Sequence, residues 1–556
     1  MTDRYFNLVE EPWIPVILLD GEAKEASLRD LFQDLTKIRT IASDLATMDG
    51  ALLRMLLAIV YSAYREVDGK NVLKLFEFED WEEAWEEPDS LTETVEKYLD
   101  RMIDRFWLFD PEAPFMQVAD LETKSGNKDS IAKIIAEIPD GEPFMVMRSG
   151  EGVDSTSIAE AARWLVHCHA YDTSGIKSGA LGDPRVKGGK GYPIGTGWCG
   201  QLGLIWVEAE NLHQTILRNL VPVDLFGEFQ LEYPDPTADL APWERTPDTS
   251  RQRGSDGAGE APINGIVELL TWQSRRIRLF RDGSEARSVL LAQGDKIVPQ
   301  NKQRLEMMST WRYSTPQSKK FKTDVYMPKM HDPSVALWRG LESVLIGTSP
   351  RLTGEVGGRV PAYLPSAVIK WNELLALEGF VGLNEVNPVH GVGFEYGPQS
   401  SSYVELFNDR VLLPGNLLFK ESVRRLVVES LATTDEVVTA ISYFAENVLK
   451  AATVSISKDQ ASHGRAKEKQ VAYFILDELF RDWLVTIGDD EMAARKQWAR
   501  QLGILAQTRE DEISRSVSTS AYLGNENMSL GKAQIFLRAS VSKILMAYQG
   551  GDNDEQ

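Results

Sequence analysis

Regular spacing of apolar residues after Pro414 is the feature that most restricts how this chain can fold. The apolar side chains there recur every three or four residues, which places them on one face of a helix. Four such stripes are present: Val437, Ile441, Phe444 and Val448; Val471, Ile475, Leu479, Trp483 and Ile487; Trp498, Leu502 and Leu505; and Ile535, Phe536, Ala539, Ile544 and Met546. Gly488 marks the end of the second helix, Asp489 or Asp490 can cap the third, and a polar loop over residues 455–469 follows the first. These helices predict a four-helix bundle over residues 416–556.

Short strands and helices are expected in the part of the chain before the bundle. The run from Trp13 to Leu19 is typical of a strand, and residues 51–60 form an apolar stretch without proline that favours a buried helix. Residues 204–207 indicate another strand. Residues 270–281 indicate a strand that enters a hairpin turn at Asp282-Gly283.

Two polar stretches interrupt this pattern. Residues 77–96 are strongly acidic and carry Trp81 and Trp85 four apart, which indicates a solvated helix with one aromatic edge. Residues 233–262 are rich in Pro, Gly, Asp and Ser and indicate a long, mobile loop. The expected fold class is α+β, with a large mixed α/β N-terminal domain over residues 1–415 followed by the C-terminal four-helix bundle.

The charge of the chain restricts its partners. Among 556 residues, 60 Lys and Arg oppose 83 Asp and Glu, which gives a net charge of −23. Such a surface repels DNA, RNA and anionic membranes at long range, so a nucleic-acid role needs local basic patches and partner subunits. No stretch has the roughly 18 uninterrupted apolar residues of a membrane span. The start of the chain lacks a secretory pattern and there are two cysteines, so we expect a cytoplasmic protein without membrane partners.

Glycine is dense between Gly175 and Gly203, where ten glycines accompany four basic residues and one aspartate. The basic residues are Lys177, Arg185, Lys187 and Lys190. The segment lacks the glycine followed by Lys-Ser or Lys-Thr that a Walker phosphate loop requires. Glycine does leave backbone amides bare, so they can approach a phosphate or a groove floor closely. The segment is either a flexible surface loop or an anion-binding loop, and its local positive charge favours the second.

Two later segments also stand out. Residues 310–331 carry five basic residues against Asp324 alone, a pattern that usually belongs to a solvated face. Near residue 397, the turn-forming pair Gly397-Pro398 would push Gln399 outward at a loop tip. An amide there can donate and accept hydrogen bonds without carrying a charge, which suits a groove that offers both kinds of partner.

Metal and catalytic signatures are weak. His167, Cys168 and His169 are adjacent, but the two histidines diverge on a helix, and no Cys-x-x-Cys or His-Glu-x-x-His motif occurs. His331-Asp332 is better explained as a turn before Pro333 than as part of a phosphohydrolase site. A Gly-x-Ser-x-Gly elbow is also missing. We therefore expect no metal, no cofactor and no catalytic residues.

Together these segments resemble the CasA family, the large subunit of the type I-E CRISPR surveillance complex (Cascade). The opening Phe6-Asn-Leu-Val-Glu-Glu-Pro-Trp-Ile-Pro-Val is similar to the family's N-terminal signature, and Pro114-Phe-Met-Gln117 matches its Pro-Phe-Met-Gln. Residues 191–212, 270–279 and 328–333 align in the same order. Some relatives carry a cysteine-rich zinc knuckle in the middle of the chain, but residues 281–296 here contain no cysteine.

The resemblance implies a non-enzymatic role. By this resemblance, the large subunit would act as a clamp at the 5′ end of the CRISPR RNA (crRNA). There it would inspect double-stranded DNA for the protospacer-adjacent motif (PAM). It contacts the minor groove, helps to start the R-loop and recruits the helicase–nuclease effector. The implied partners are therefore the other Cascade subunits with crRNA, double-stranded target DNA and that effector.

The resemblance also implies which residues act. The family's glycine loop falls on Gly188, Gly189, Lys190 and Gly191, and its glutamine wedge falls on Gln399. Its lysine finger falls on Lys319 or Lys320, with Arg312 as the weaker candidate because this stretch differs in length. A further loop, which contacts RNA in the family, would begin at Phe144, Met145 and Val146.

Two alternatives remain at this stage. A cytosolic hydrolase with the bundle as a lid would require a buried carboxylate pair with strongly shifted pKa values in a closed cleft. A purely structural scaffold would require neither the loops nor their charges. The DNA-reading hypothesis instead requires the glycine loop, Gln399 and a basic residue from 310–331 on one exposed surface.

Overall fold

A computed structural model describes residues 4–67, 73–138, 154–254, 259–382, 385–452 and 456–550. The chain forms two compact units. The first comprises Met1–Leu337, Ser349–Leu374 and Pro388–Arg410, and the second comprises Trp338–Thr348, Leu375–Asn387 and Val411–Gln556. The fold is α+β with a helical C-terminal region, as expected from the sequence. The sequence predicted a single boundary near residue 415. In the structure, residues 338–348 and 375–387 also belong to the second unit.

The strands of the first unit are short and form several small antiparallel sheets. They are β1 Tyr5–Asn7, β2 Ile14–Leu18, β3 Ala23–Ala26, β4 Ile38–Ile41, β5 Glu66–Val67, β6 Leu73–Lys74, β7 Trp107–Phe109, β8 Asp129–Ser130, β9 Thr156–Ser157, β10 Lys177–Ser178, β11 Lys190–Gly191, β12 Leu204–Val207, β13 Arg275–Asp282, β14 Glu285–Gln293, β15 Trp311–Tyr313, β16 Tyr326–Pro328, β17 Arg351–Thr353, β18 Arg359–Pro361 and β19 Tyr363–Leu364. Two longer strands follow, β20 Val386–Tyr396 and β21 Tyr403–Pro414.

Three of these sheets carry the features that matter for function. The β13–β14 hairpin, turning at Gly283, pairs with β8 along β14. The order β12-β20-β21 forms a second sheet, in which Leu204 lies opposite Val392. The third sheet has the order β16-β15-β19. The strands predicted at the start of the chain, at 204–207 and before the hairpin are confirmed, although the last of them begins at Arg275 rather than Leu270, which ends the helix Ile266–Leu270.

The helices of the first unit surround a long buried one. They are α1 Leu28–Gln33, α2 Ala46–Ala63, α3 Phe78–Glu86, α4 Pro88–Met102, α5 Ile158–Tyr171, α6 Leu212–Asn219, α7 Ile266–Leu270, α8 Thr315–Phe321, α9 Leu341–Val344 and α10 Ala367–Leu377, of which α9 and the end of α10 belong to the second unit. Helix α2 is buried almost all round, which confirms the predicted buried helix. Its Arg54 is 1% exposed and forms an ion pair with the fully buried Glu306, so the charge within the core is neutralised.

Helix α2 is also the one stretch, within the residues that the structure describes, whose length and composition would suit a membrane span. Of that apolar window, 89% is buried inside the protein. The apolar character of α2 is thus explained by its position in the core.

Two of the expectations for the first unit need correction. The acidic stretch forms two helices, α3 and α4, because Pro88 begins the second, and Trp81 is completely buried against Trp371 at 5.0 Å between ring centroids. The aromatic edge packs into the core, and the acidic side chains Glu79, Glu82, Glu83 and Glu86 are exposed, as predicted. Residues 233–262 contain neither helix nor strand where they are described, but Asp239 and Trp243 within them are 0% and 1% exposed. This loop is anchored by buried side chains.

The second unit contains the predicted bundle. Its helices are α11 Gly415–Phe419, α12 Glu421–Ala452, α13 Lys458–Val485, α14 Glu491–Ser516, α15 Thr519–Leu523 and α16 Leu530–Gln549, of which α12, α13, α14 and α16 are the four long ones. The stripe of Val437, Ile441, Phe444 and Val448 is buried as predicted. The Asp490 side chain caps α14 by accepting from the Ala493 amide, as predicted.

The predicted polar loop between the first two bundle helices is wrong from Lys458 onward. Ser457 and Gln460 form a capping box, which starts α13 about ten residues earlier than the apolar pattern indicated. In the first part of the predicted α13 stripe the buried residues are displaced by one position, to Ala472, Leu476 and Phe480, whereas Trp483 and Ile487 are buried as predicted.

In the last helix, the predicted core residues Ile535 and Met546 are 67% and 71% exposed, whereas Leu537 and Val541 are buried. The helix periodicity was correct, but its buried face was not identified.

Candidate nucleic-acid interface

The predicted glycine loop is the tip of a small hairpin. Strands β10 and β11 pair with Lys177 opposite Gly191, and Lys187 and Lys190 exchange both backbone hydrogen bonds at 3.1 Å. Between them, Gly188 and Gly189 have φ values of +60° and +75°, the signature of a two-residue turn that favours glycine. A Cβ at either glycine would meet no atom within 4 Å, so the tip is open to a ligand on its outer side.

The positive charge of this segment is smaller than its composition indicated. Lys177 is buried, and its Nζ lies 2.7 Å from Asp172 Oδ2. Arg185 forms an ion pair with Asp183 at 2.9 Å. Lys187 and Lys190 remain exposed beside the glycine tip. The cationic character is therefore concentrated at the hairpin tip, and the other two basic residues serve the fold.

Asp172 is the buried anchor below the hairpin. Burial alone would raise the pKa of its carboxyl group, but the nearby cations Lys177 and Arg275 outweigh burial and hold that pKa below its ordinary value. The Arg275 guanidinium also donates to the carbonyl groups of Thr173 and Gly195, at 2.9 Å each. This buried network fixes the start of the glycine-rich segment.

Gln399 lies at the tip of the loop between β20 and β21. It is exposed and takes a left-handed conformation (φ 56°, ψ 21°), and Ser400 is left-handed as well (φ 54°). Two successive non-glycine residues in this region cost about 1–3 kcal/mol each. The turn is closed by the hydrogen bond from the Ser400 amide to the Gly397 carbonyl, at 2.8 Å.

The Gln399 loop and the glycine hairpin are fastened to one segment of chain, residues 171–178. The Ser174 amide donates to the Ser400 carbonyl at 2.7 Å. Three residues further on, Lys177 pairs with Gly191 in the hairpin. At the length of an extended residue, this path places the two loops at most about 20 Å apart.

Side chains from other elements reinforce this arrangement. The side-chain amide of Gln293 donates to the carbonyl of Gly175 at 2.9 Å. The Cγ of Gln293 lies 3.2 Å from the position that a Cβ would occupy if Gly191 were replaced by another residue. The hydroxyl groups of Tyr396 and Tyr403 both donate to the Tyr171 carbonyl, at 2.7 and 3.2 Å. The structure thus brings together two of the three predicted loops.

A groove of about 760 Å³ lies beside Ser400. Its lining includes Thr196 and Gln201, the basic residues Arg312 and Lys329, and the acidic residues Asp332 and Glu395. Arg312 is exposed at the centre of the β16-β15-β19 sheet. The weaker of the three basic candidates therefore lines the groove next to the Gln399 loop.

Lys319 and Lys320 are located elsewhere on the same segment. They are exposed in the last turn of α8, and neither is among the residues that line the groove. The helix ends at Lys322, which is left-handed with φ 55°. The sequence could not distinguish these three positions, because a helix between Arg312 and Lys322 separates them in space.

Buried carboxyl groups elsewhere have structural partners. Burial raises the pKa of Asp49 to about 7, and this residue accepts from the amide of Ser43. Burial also raises the pKa of Asp239 to about 6, and this residue accepts from the first amides of α7. Both carboxylates therefore accept from backbone amides, and Glu268, the buried carboxylate beside Asp239, forms an ion pair with Arg253.

The histidine and cysteine cluster is part of the core. Burial lowers the pKa of His167 to about 3 and that of His169 to about 4, and it raises the pKa of Cys199 to about 11. The small cavity beside His169 and Cys199 has a volume of about 20 Å³, room for about one water molecule. Within the described part of the chain, no group of three or more His, Cys, Asp or Glu side chains is arranged to hold a metal ion.

Sequence reasoning missed the residues that join the loops. Ser174, Gln293 and Tyr171 have ordinary neighbours in the sequence, and their roles depend on pairing over distances of 102 to 232 residues. No local signal marks them. The predicted RNA-contacting residues Phe144, Met145 and Val146 lie outside the described residues.

Comparisons with known proteins agree with the fold and with the resemblance. The sequence profile of the family "CRISPR-associated protein Cse1" matches residues 7–508. The CasA/Cse1 protein of Thermus thermophilus is 26% identical over 466 residues, which cover 83% of this chain and 80% of that protein.

Among solved structures, Cse1 of Thermobifida fusca is 35% identical with a TM-score of 0.85, covering 98% of this chain and 99% of that one. A chain of a CRISPR RNA-guided surveillance complex shares the fold at 15% identity and a TM-score of 0.56, covering 98% of this chain and 99% of that one. Since the profile spans nearly the whole sequence, this chain belongs to the Cse1 (CasA) family of CRISPR-associated proteins.

Proposed function

We propose that this protein is the non-catalytic large subunit of a type I-E CRISPR RNA-guided surveillance complex in the cytoplasm. In this role it recognises the PAM of invading double-stranded DNA through minor-groove contacts, promotes R-loop initiation and recruits the helicase–nuclease. Family membership and the fold shared with a chain of a CRISPR RNA-guided surveillance complex support the assignment to such a complex. The DNA-reading role rests on the arrangement of the loops.

The observation that carries the proposal is the attachment of two exposed loop tips to one segment. The glycine hairpin and the Gln399 loop are both bonded to residues 171–178, and both tips are exposed, with the Gly189 carbonyl accepting from the Gly179 amide at 3.1 Å. A DNA minor groove is narrow and presents mainly hydrogen-bond acceptors at A·T pairs, with one additional donor at G·C pairs. Bare amides at Gly188 and Gly189 and the ammonium group of Lys190 are donors of the size and charge that this groove accepts.

Gln399 is suited to act beside the first base pair of the target. Its uncharged side chain is exposed at the tip of a closed turn, so the backbone of the loop has little freedom to lose on binding. A side chain that separates neighbouring base pairs offsets part of an unstacking cost of a few kcal/mol. In this proposal, pairing with the guide RNA then supplies sequence specificity.

A basic contact completes the proposed reader. Lys319 and Lys320 are the residues implied by the resemblance, whereas the position of Arg312 in the groove beside Ser400 favours that residue. A lysine and an arginine both suit a DNA minor groove, because phosphates line that groove on either side. The net charge of −23 disfavours DNA binding away from the reader, so we expect the subunit to search DNA only within a complex that supplies positive charge.

Reconstitution tests this function directly. The full-length chain is assembled with the other Cascade subunits and crRNA, and binding to matched duplexes with and without a PAM is measured at a stated salt concentration. We expect binding that depends on both the PAM and this chain. Equal binding to both duplexes by a fully assembled complex would show that the PAM-reading proposal is wrong while leaving family membership unaffected.

The RNA contact at Phe144, Met145 and Val146 is proposed from the resemblance. In the same reconstituted complex, a photoreactive amino acid at position 145 should form a crosslink to the 5′ end of the crRNA. Crosslinks to DNA or protein alone would contradict this part of the proposal.

A further inference from the structure

Two large apolar side chains are exposed on the body of the glycine hairpin. Ile176 is 52% exposed and Tyr192 is 53% exposed. Single apolar residues on a surface are ordinary, so the position of these two carries the argument. They directly adjoin the paired residues Lys177 and Gly191, on the side away from the glycine tip. We call Ile176 and Tyr192 the apolar pair.

The alternation of the strands turns the apolar pair to the outer face of the hairpin. Lys177 is buried, and a Cβ on Gly191 would lie 3.2 Å from the Cγ of Gln293, so this pair of residues faces inward. Successive side chains of an extended strand point to opposite faces. The exposure of Ile176 and Tyr192 agrees with that alternation.

The backbone beside each of these side chains is fixed. The side-chain amide of Gln293 donates to the Gly175 carbonyl at 2.9 Å and to the Gly191 carbonyl at 3.4 Å, which belong to the residues directly before the apolar pair. Pro193 follows Tyr192 and restricts it to an extended backbone. The apolar pair is therefore presented on a backbone that loses little freedom when a ligand binds.

The apolar pair lies on the stretch of chain that joins the two tips of the proposed reader. Ser174, whose amide donates to the Ser400 carbonyl at 2.7 Å, is two residues before Ile176. At the length of an extended residue, the Cα atoms of Ser174 and Ile176 are at most about 7 Å apart. In the opposite direction, the exposed Lys190 and the glycine tip follow. A duplex that contacts both tips therefore passes close to the apolar pair.

We propose that Ile176 and Tyr192 contact deoxyribose rings along the minor groove and select DNA against RNA. This inference rests on the proposed PAM-reading function and names the feature of the duplex that the same site selects. The C2′ methylene of deoxyribose is apolar, so its burial against these side chains is favourable. A 2′-hydroxyl in its place would lose hydrogen bonds to water without gaining a partner. RNA helices, whose minor groove displays 2′-hydroxyl groups, are thereby rejected.

The experiment uses the reconstituted complex and three PAM-bearing duplexes of one sequence. The PAM nucleotides carry deoxyribose in the first, ribose in the second and 2′-fluoro sugars in the third. We expect the wild-type complex to bind the first at least about fivefold more tightly than the second, since even a closed apolar pocket rejects an added hydroxyl by only about 100-fold. In the double variant Ile176→Ser with Tyr192→Ser, the preference should fall below about twofold. An unchanged preference in the double variant would overturn the proposal.

Two further variants separate contact from folding. Tyr192→Phe should keep the wild-type preference, because the apolar ring remains. Leu19→Ser is the matched control, since Leu19 is also 50% exposed but lies at the turn between β2 and β3. Loss of the preference in either variant would overturn the proposal.

The 2′-fluoro duplex separates the hydroxyl group from the shape of the helix. A 2′-fluoro sugar favours the RNA-like pucker but carries no hydroxyl to be desolvated, so its affinity should remain close to that of the deoxyribose duplex. Equal weakening by ribose and by 2′-fluoro sugars would overturn the proposal, because groove shape alone would then account for the preference.

A deoxyribose duplex without a PAM is titrated alongside. If the complex prefers the PAM but binds the ribose and deoxyribose duplexes equally, the selection of DNA by the apolar pair is wrong and the PAM-reading function stands. If the complex shows no preference for the PAM, the proposed function is wrong and this inference fails with it.

Discussion

At the scale of single residues, Gln399 has a left-handed backbone conformation, which is energetically costly for a residue other than glycine. Gln399→Ala should slow R-loop formation on a PAM-bearing duplex by about tenfold, because the side chain that separates the base pairs is removed. Assembly of the complex should not change, because Gln399 is exposed. Stopped-flow fluorescence of a base analogue beside the PAM measures the rate.

Gln230→Ala is the matched control for this prediction. Gln230 is also exposed and left-handed, with φ 60°, so its replacement has the same backbone consequence without touching the reader. Wild-type R-loop kinetics for Gln399→Ala, or equal slowing by both variants, would contradict the wedge role.

Arg312, Lys319 and Lys320 provide a second residue-scale test. Replacing each by Ala removes one exposed positive charge, so non-specific effects should be equal. Arg312→Ala should weaken PAM-dependent binding by about fivefold or more, because Arg312 lines the groove beside Ser400. Equilibrium binding to duplexes with and without a PAM measures the difference. A larger loss in Lys319→Ala or Lys320→Ala would instead identify the family's lysine-finger position there.

Asp172 determines how the base of the reader responds to acid. Its pKa is lower in the folded chain than in the unfolded chain, so its stabilising contribution is complete above about pH 4 and is lost as the pH falls through the folded value. Asp172→Asn should lower the free energy of unfolding at pH 7 by about 3 kcal/mol, because Lys177 and Arg275 remain buried without their carboxylate.

The difference in unfolding free energy between wild type and Asp172→Asn should shrink as the pH falls below about 4. Urea unfolding at pH 7 and at about pH 2.5 measures it, because the second value lies below the pKa of an aspartate in the unfolded chain. A constant difference at both pH values would show that the charge of Asp172 is not responsible.

Exposed positions at loop tips could be predicted where the sequence carries turn residues. Gly188, Gly189 and Gln399 are marked by turn chemistry, and all three are exposed at loop tips. Lys177 was misjudged because its partner Asp172, although nearby in sequence, is buried by distant elements. Exposure of a lysine depends on the tertiary fold and is not encoded in its local neighbours.

At the scale of elements, the glycine hairpin can be compared with the β13–β14 hairpin, whose turn also contains a left-handed glycine. Gly188→Ala places a Cβ at φ +60°, which costs about 1–2 kcal/mol and crowds the outer surface of the tip. Gly283→Ala imposes the same conformation, φ +59°, on the turn between β13 and β14. Thermal unfolding should respond similarly in both variants, whereas PAM-dependent binding should fall only in Gly188→Ala.

Equal binding defects in the two glycine variants would indicate global destabilisation. Unchanged binding in both would exclude a close approach of the hairpin backbone to DNA. The comparison therefore separates contact from folding, which neither variant does alone.

Apolar periodicity predicted most of the long helices but not all of their faces. The stripe in α12 is confirmed, and so are Trp483 and Ile487 at the end of the second stripe. The first three residues of that stripe are displaced by one position, and Ile535 and Met546 of α16 are exposed. A helix with apolar residues on more than one side has no unique buried face until its neighbours are known. The start of α13 was missed because the cap of Ser457 and Gln460 precedes a polar first half.

At the scale of the whole molecule, the change to helical periodicity after Pro414 was not sufficient to locate the boundary between the two units. Residues 338–348 and 375–387 precede the bundle in sequence but belong to its unit. Within that unit, Trp338 stacks on Phe480 at 4.3 Å between ring centroids and donates its Nε1 to Asp477 at 2.7 Å. A contact across 139 residues leaves no local trace in the sequence.

Trp338→Ala should therefore destabilise the bundle although Trp338 lies far from it in sequence. Trp371→Ala is the matched control, because Trp371 is also fully buried but belongs to the first unit. Each substitution should cost about 3–5 kcal/mol by leaving a cavity. Hydrogen exchange followed by mass spectrometry should show faster exchange in Lys458–Val485 for Trp338→Ala and no change there for Trp371→Ala. If both variants affected Lys458–Val485 equally, the two units would unfold as one and the assignment of residues 338–348 to the second unit would have no energetic meaning.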